Sequence, residues 1–232
     1  MPIYSIASVL NAASLASAAV APGSIVSLFG GNFSTLPFTA FTNPLPTSLG
    51  DTRVTFNGLP APLFSVNSGQ ITAQVPFELQ PGAAVAVVTV SGSSGAPFSF
   101  PVAPAAPGLY LAGYGSNYAL AVNQDSSANG PARPAPPGSV LTVYLTGQGL
   151  VSPSLDTGAW SPAQPLARPA QPVSVTVGGQ SVQVLFSGLT PLTAGIFQVD
   201  IVVPALPSGD YPLVVTVGAA PSNAGLISVA SS

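Results

Sequence analysis

The stretch Pro22-Gly23-Ser24-Ile25-Val26-Ser27-Leu28-Phe29-Gly30 joins a Pro-Gly turn to a run rich in strand-forming residues. The same pattern returns in the second half of the chain as Pro137-Gly138-Ser139-Val140-Leu141-Thr142-Val143-Tyr144-Leu145. A turn and strand that occur twice in one sequence indicate a chain built from a repeated unit.

Three further matches follow the first in the same order along both halves. They pair Val54–Gly58 with Val175–Gly179, Gln70–Pro76 with Gln198–Pro204, and Gln80–Gly82 with Pro207–Gly209. Asn57-Gly58 and Gly178-Gly179 predict two-residue hairpin turns, because these residues tolerate the positive φ angles that such turns require. Pro76 and Pro204 are expected to end strands, because proline has no N–H for the ladder.

Short strands separated by regular turn signals, without a long stretch of helical periodicity, predict β-sandwiches. We expect a first sandwich over 1–102, including an N-terminal strand segment at 3–20, and a second over 136–232. The Pro-rich segment 103–135 predicts a stiff linker that contains a hairpin over 109–122. The sequence leaves open whether the two halves form separate cores or share one across this hairpin.

Charge is nearly absent from this chain. Only 4% of the residues are charged, while 47% are apolar, and His, Cys and Lys do not occur. Nucleic-acid binding is excluded, because phosphate neutralisation needs clustered Lys and Arg. Zinc, copper and iron sites draw mainly on Cys and His, so we expect no metal site and no cofactor.

The acidic residues do not form a recognisable catalytic pattern. Asp156-Thr157-Gly158 matches the Asp-Thr-Gly of aspartic proteases, but that chemistry needs two carboxylates and the motif occurs once. Without His or Lys, a serine nucleophile has no conventional base. We therefore predict that the chain is not an enzyme and has no catalytic residues.

Two other motifs give weak functional signals. Asn123–Gly130 resembles a calcium loop superficially, but one Asp is too little for a cation that takes several carboxylates, so a polar turn is favoured. Asn32-Phe33-Ser34 is a formal N-glycosylation sequon. The apolar start, Met1–Ala21, lacks a basic region, and we interpret it as mature chain rather than as a signal peptide.

Several motifs together are similar to a known family. They are Asn11–Ser14, Ala21–Gly30, Pro44–Gly50, Gly58–Phe64, Gln70–Pro76, Ala103–Gly108 and Leu185–Pro191. The chain resembles an uncharacterised C-terminal domain family of secreted proteins from Solibacter and other acidobacteria, and each half looks like an immunoglobulin-like domain of the IPT/TIG type. The resemblance implies an extracellular or cell-surface location. With the strand pattern, it predicts an all-β fold of two tandem immunoglobulin-like β-sandwich domains arising from an internal repeat.

The first functional hypothesis is a structural subunit of a filament or surface layer, with copies of itself as partners. A surface with little charge promotes association. The candidate assembly strand comprises Ile3, Tyr4, Ile6, Val9 and Leu10. This strand can pair within its own domain or complete the sheet of a neighbouring copy.

The alternative is an adhesive, carbohydrate-binding or spacer module whose partner is a polysaccharide or cell surface. Aromatic side chains in loops are the usual platforms for sugar rings, and the candidates are Tyr110, Tyr114, Tyr118 and Trp160. The competing interpretation, which we favour on sequence, is that these aromatics cover the seam between the two domains.

Overall fold

The computed structural model describes residues 5–113 and 115–231, and every regular element in these ranges is a β-strand. The first half contains β1 (Ser5–Asn11), β2 (Ile25–Gly31), β3 (Phe38–Thr39), β4 (Thr52–Phe56), β5 (Leu59–Pro60), β6 (Leu63–Val66), β7 (Gln70–Gln74), β8 (Gly82–Val90), β9 (Ser93–Ser94) and β10 (Phe98–Val102). The second half contains β11 (Gly108–Leu109), β12 (Ala121–Asn123), β13 (Val140–Thr146), β14 (Val151–Ser152), β15 (Arg168–Pro169), β16 (Val173–Val177), β17 (Gln180–Val182), β18 (Val184–Leu189), β19 (Phe197–Val202), β20 (Gly209–Val217), β21 (Ala220–Pro221) and β22 (Gly225–Val229).

Each half contains two main antiparallel sheets with the same strand order, and the second half has an additional two-stranded sheet of β14 and β15. In the first half the sheets run β1-β2-β7-β6-β3 and β10-β8-β4-β5. In the second half they run β11-β13-β19-β18, with β12 also paired to β13, and β17-β16-β20-β21, with β22 also paired to β20. Both halves thus reproduce the A-B-E-D and G-F-C sheets of the immunoglobulin fold. The predicted fold of two tandem immunoglobulin-like sandwiches is confirmed.

The repeat seen in the sequence corresponds to equivalent strands. Ile25 of β2 lies opposite Gln74 of β7, and Val140 of β13 lies opposite Val202 of β19. The predicted hairpin at Asn57-Gly58 has φ angles of 49° and 82°, and the one at Gly178-Gly179 has 58° and 81°. Each hairpin joins strands paired directly across the turn, β4 with β5 and β16 with β17.

Each sandwich has its own hydrophobic core, which answers the question that the sequence left open. The first contains Leu28, Phe56 and Phe100, and the rings of Phe56 and Phe100 meet edge to face with centroids 5.3 Å apart. The second contains Leu141 and Phe197, both fully buried. Full burial of such a side chain contributes roughly 1.5–3 kcal/mol, so each half has a core that can stabilise it.

The segment expected to be a linker, 103–135, belongs instead to the second sandwich. Its hairpin forms, with the Leu120 N–H donating to the Tyr110 carbonyl at 2.7 Å, but its strands β11 and β12 pair with β13. Leu109 and Ala121 are buried in the second core. The prolines therefore shape an entry strand rather than a spacer, and the second sandwich begins near Ala105 rather than at residue 136.

The N-terminal segment pairs within its own domain. In β1, Val9 lies opposite Leu28 of β2, and Ile6 and Val9 are buried in the first core while Leu10 is half-buried. Ile3 and Tyr4, the other members of the candidate assembly strand, lie outside the described residues. Across 5–113 and 115–231, no helix has the length and hydropathy needed to cross a membrane.

Candidate functional site

The two sandwiches meet along a seam of hydrogen bonds. At its centre the Ile25 N–H donates to the Thr146 hydroxyl at 2.8 Å, and that hydroxyl donates to the Gly195 carbonyl at 2.8 Å. Nearby, the Asn11 amide donates to the Ala106 carbonyl at 3.0 Å. Thr146 and Asn11 are both buried. The Ile25 N–H and the Asn11 amide group find their acceptors across the seam, and these bonds tie the two domains to one relative position.

The Asp156-Thr157-Gly158 motif lies on this seam, and we call it the clasp loop. The Thr157 hydroxyl donates to a Glu78 carboxylate oxygen at 2.7 Å and accepts from the Phe77 N–H at 2.9 Å. The Gly158 N–H donates to the side-chain oxygen of Gln74 at 2.8 Å. The motif that resembles a protease signature thus serves as a contact between domains.

A cleft of about 570 Å³ opens beside the seam, with walls from both sandwiches. One wall is the outer face of β2 and β7, which presents Ser27, Gln70 and Thr72. The other is the second sandwich, which presents Trp160 and Tyr110. Among the described residues that line the cleft, none is charged. Concave, mostly apolar surfaces with a few polar groups at a domain interface are typical of ligand sites.

The structure brings together two of the four aromatic candidates. Trp160 is half-buried in the cleft, and its backbone N–H donates to the Asn43 side chain of the first sandwich at 3.0 Å. Tyr110 lies at the same cleft, and burial raises its pKa to about 12. Trp160 and Tyr110 thus lie together in the cleft beside the seam.

Of the other two candidates, Tyr118 does not line the cleft. The Tyr118 hydroxyl donates to the carboxylate of Asp210 at 2.7 Å, on the second sandwich. Tyr114 lies outside the described residues.

Two large apolar residues of the cleft carried no signal in the sequence. Phe41 is 84% exposed and Leu192 is 66% exposed, and both line the cleft from loops of different sandwiches. Exposed apolar side chains that line one concave surface are typical of a ligand-binding groove. Phe41 and Leu192 line one cleft only because the two domains dock as they do, and no local sequence pattern predicts that docking.

The calcium-like loop is a turn held by its own side chains. Asp125 accepts hydrogen bonds from the Ser127 hydroxyl at 2.6 Å and from the Ser127 N–H at 2.9 Å. These bonds, the side-chain one first, lower the pKa of Asp125. Within the described part of the chain, no three Asp or Glu residues are grouped to hold a metal ion.

Comparison with known proteins gives distant structural matches. No protein-family model matches the chain, and no curated protein sequence matches it. Among solved structures, it is similar to the SGBP-B of a Bacteroides ovatus mixed-linkage glucan utilization locus, solved with a mixed-linkage heptasaccharide, at 15% identity over 92% of this chain, with a TM-score of 0.38. It spans only 44% of that protein.

Two further matches are proteins of bacterial surfaces. Domains 5–6 of the S-layer protein SbsC match at 11% identity over the whole of both chains, with a TM-score of 0.30. The Escherichia coli adhesin FdeC matches at 12% identity over 99% of this chain and 65% of its own, with a TM-score of 0.29. Because these scores are low, the fold of the chain rests on its own strand order.

Proposed function

We propose that this protein is a non-enzymatic module of the bacterial cell exterior that binds carbohydrate in the cleft between its two sandwiches. One observation carries the proposal: Trp160, Tyr110 and Phe41, from three separate segments, line the same uncharged cleft. Aromatic faces offer flat apolar surface, and the Tyr hydroxyl and Trp N–H add polar contacts at its edge. Sugar rings have apolar faces bordered by hydroxyl groups, and this combination suits them.

The same cleft lacks the groups that glycoside cleavage needs. Hydrolysis uses a pair of carboxylates that flank the bond, and the described lining has none. Glu78, near the seam, accepts a hydrogen bond from the clasp-loop hydroxyl. We therefore propose that the cleft binds carbohydrate without hydrolysing it.

The hydrogen-bonded seam supports binding by holding the two walls in place. Trp160 is attached through its backbone to Asn43 across the cleft, and the clasp loop joins the domains close by. A site already in its binding geometry loses less conformational entropy when the ligand arrives.

The chain supplies its own probe for this proposal, because Trp160 is its only tryptophan. We expect a neutral oligosaccharide that binds to shift the Trp160 emission to shorter wavelength as water leaves the ring. In calorimetric titrations, Trp160→Ala should weaken binding roughly tenfold or more, since each tenfold corresponds to about 1.4 kcal/mol. Tyr118→Ala is the matched control, because it removes a candidate aromatic outside the cleft, and it should bind as the wild type does. A glycan array without hits, together with an unchanged emission spectrum, would contradict the proposal.

A second candidate function is a subunit of a filament or surface layer, assembled by exchange of β1. One observation favours it: β1 is an edge strand without a charged residue, and charge is what commonly protects such edges from pairing. Since β1 pairs with β2 of its own chain, assembly requires Ser5–Asn11 to leave that site and occupy the site of a neighbour. Electron microscopy should then show filaments. A protein that sediments as a monomer at high concentration would exclude this function.

A further inference from the structure

A second apolar cavity lies next to the cleft on the second sandwich. It has a volume of about 330 Å³ and is lined by Tyr110, Leu120, Tyr144 and Ile196. Tyr110 and Ile196 also line the cleft, so the two spaces share a wall and lie side by side. We call the combined surface the groove.

The backbone fixes the side chains of this second part next to one another. The Tyr110 N–H donates to the Tyr144 carbonyl at 3.0 Å, and the Leu120 N–H donates to the Tyr110 carbonyl at 2.7 Å. Leu120 is 41% exposed, and Tyr144 and Tyr110 are half-buried. The groove therefore places Tyr110 in the middle, with Trp160 in the cleft to one side and Tyr144 in the second cavity to the other.

The groove favours an uncharged ligand. Among the described residues that line either part, none is charged, and the chain as a whole carries a net charge of −3. A carboxylate or sulfate placed there would lose water without gaining a cationic partner, which is costly. It would also meet the negative charge of the protein.

The groove favours side-chain contacts over backbone pairing. Its cleft wall is formed by β2 and β7, each of which already has a strand on both sides. The same is true of β13, which carries Tyr144. Strand addition by a peptide needs a free edge with unpaired N–H and C=O groups, and these interior strands offer none. Rings, hydroxyls and amides are what remain for recognition.

We infer that the groove binds a neutral polysaccharide chain, with successive sugar units lying across Trp160, Tyr110 and Tyr144. This inference rests on the proposed carbohydrate-binding function and adds the class of sugar and the length of the contact. The cleft, with Ser27, Gln70 and Thr72, holds one part of the chain through rings and polar groups together. The second cavity holds the next part mainly through ring faces.

The test is a calorimetric series with neutral gluco- and xylo-oligosaccharides of increasing length. Affinity should rise with length until both parts of the groove are occupied and then level off. Leu120→Ala and Tyr144→Ala should each weaken the longer oligosaccharides, Tyr144→Ala roughly tenfold, and leave disaccharide binding unchanged. Leu185→Ala is the matched control, since Leu185 is 48% exposed and lies outside the groove, and it should have no effect on either.

Different results of these titrations would contradict the extended contact and the proposed carbohydrate binding. Binding that is independent of length and of both substitutions would overturn the extended contact while leaving carbohydrate binding intact. Tighter binding of oligogalacturonate than of neutral chains would overturn the choice of an uncharged ligand. If the wild type binds no saccharide but binds an uncharged peptide selected from a library, the proposed function itself fails.

Discussion

The same Pro-Gly-Ser turn precedes β2 in the first sandwich and β13 in the second, yet only the first copy is covered by the other domain. Gly23 and Gly138 have φ angles of 75° and 80°. Their N–H groups donate to the carbonyls of Val75 and Val203 at 2.9 and 2.8 Å. The local conformations are thus equivalent, but Ser24 is fully buried at the seam and Ser139 is only half-buried at the far end of the molecule.

A few polar side chains explain the difference. The Ile25 N–H finds its acceptor on the second sandwich, whereas its counterpart, the Val140 N–H, donates to Gln124 of its own sandwich at 3.1 Å. Gln74 is buried and accepts from the clasp loop, and its counterpart in the strand register is Val202, which has no polar side-chain atom. The repeat therefore carries the fold, while docking depends on side chains that differ between the copies.

This comparison bears on assembly. The open end of the second sandwich lacks the Gln74 acceptor and satisfies its own turn through Gln124. A further sandwich could not dock there through the contacts that join the first two. Stacking of copies end to end by repetition of the seam is thus disfavoured, whereas exchange of β1 does not depend on the second turn.

The largest expected effect is on the free energy of unfolding, and it is a difference between the same substitution made in the two copies of the turn. Gly23→Ala and Gly138→Ala both place a side chain at positive φ, which costs about 1–3 kcal/mol. A Cβ at Gly23 would also lie 2.1 Å from the ring of Phe77, whereas nothing lies within 4 Å at Gly138. Phe77 packs against the second core, so the overpacking adds about 1–3 kcal/mol at Gly23 alone. Urea unfolding of both variants measures the difference, and equal losses would show that the seam does not restrict this turn.

Gln74→Val gives the first sandwich the residue type that Val202 supplies in the second, and it should cause the next largest loss of stability. Gln74 accepts from the Gly158 N–H and donates to the Gly23 carbonyl at 3.3 Å. Loss of these bonds leaves buried groups unsatisfied at about 1–3 kcal/mol. Limited proteolysis should detect a loosened clasp loop, and oligosaccharide affinity should fall with it. Gln180→Val makes the same change at an exposed position of the second sandwich, and it should leave the proteolysis pattern and the oligosaccharide affinity unchanged. If Gln180→Val lowers the affinity as much as Gln74→Val does, the effect comes from the valine and not from the lost hydrogen bonds.

The strands and turns can be predicted from the sequence because they depend on near neighbours. Alternation of β-branched residues along β16 and the glycine pair that follows it are enough to predict that strand and its hairpin. The prolines of segment 103–135 suggest a spacer, and this prediction is wrong because the burial of Leu109 and Ala121 depends on β13, which comes later in the chain.

The candidate site is less accessible to sequence reasoning. Trp160 and Tyr110 are recognisable as aromatics near loops, but Phe41 and Leu192 lie in segments with no distinguishing pattern, and the cleft forms only when the sandwiches dock. Gln74 has the pattern of an ordinary polar strand residue, although it is 1% exposed at the seam. Each of these roles depends on contacts between residues far apart in the sequence, and the periodicity of a strand does not predict such contacts.

The smallest effect concerns one acidic residue that the second sandwich has and the first lacks. Asp210 of β20 corresponds to Ala83 of β8, and hydrogen bonds from Ser228 first and Tyr118 second lower the pKa of Asp210. Because the folded state favours the carboxylate, this stabilisation is present above the usual carboxyl pKa and is lost as pH falls through the lowered one. We expect Ser228→Ala to return the pKa of Asp210 toward its ordinary value in a carbon-detected NMR titration, with Tyr118→Phe giving a smaller rise. An unchanged titration curve in both variants would show that these bonds do not hold the carboxylate in solution, and the second sandwich would then be no more acid-sensitive than the first on account of Asp210.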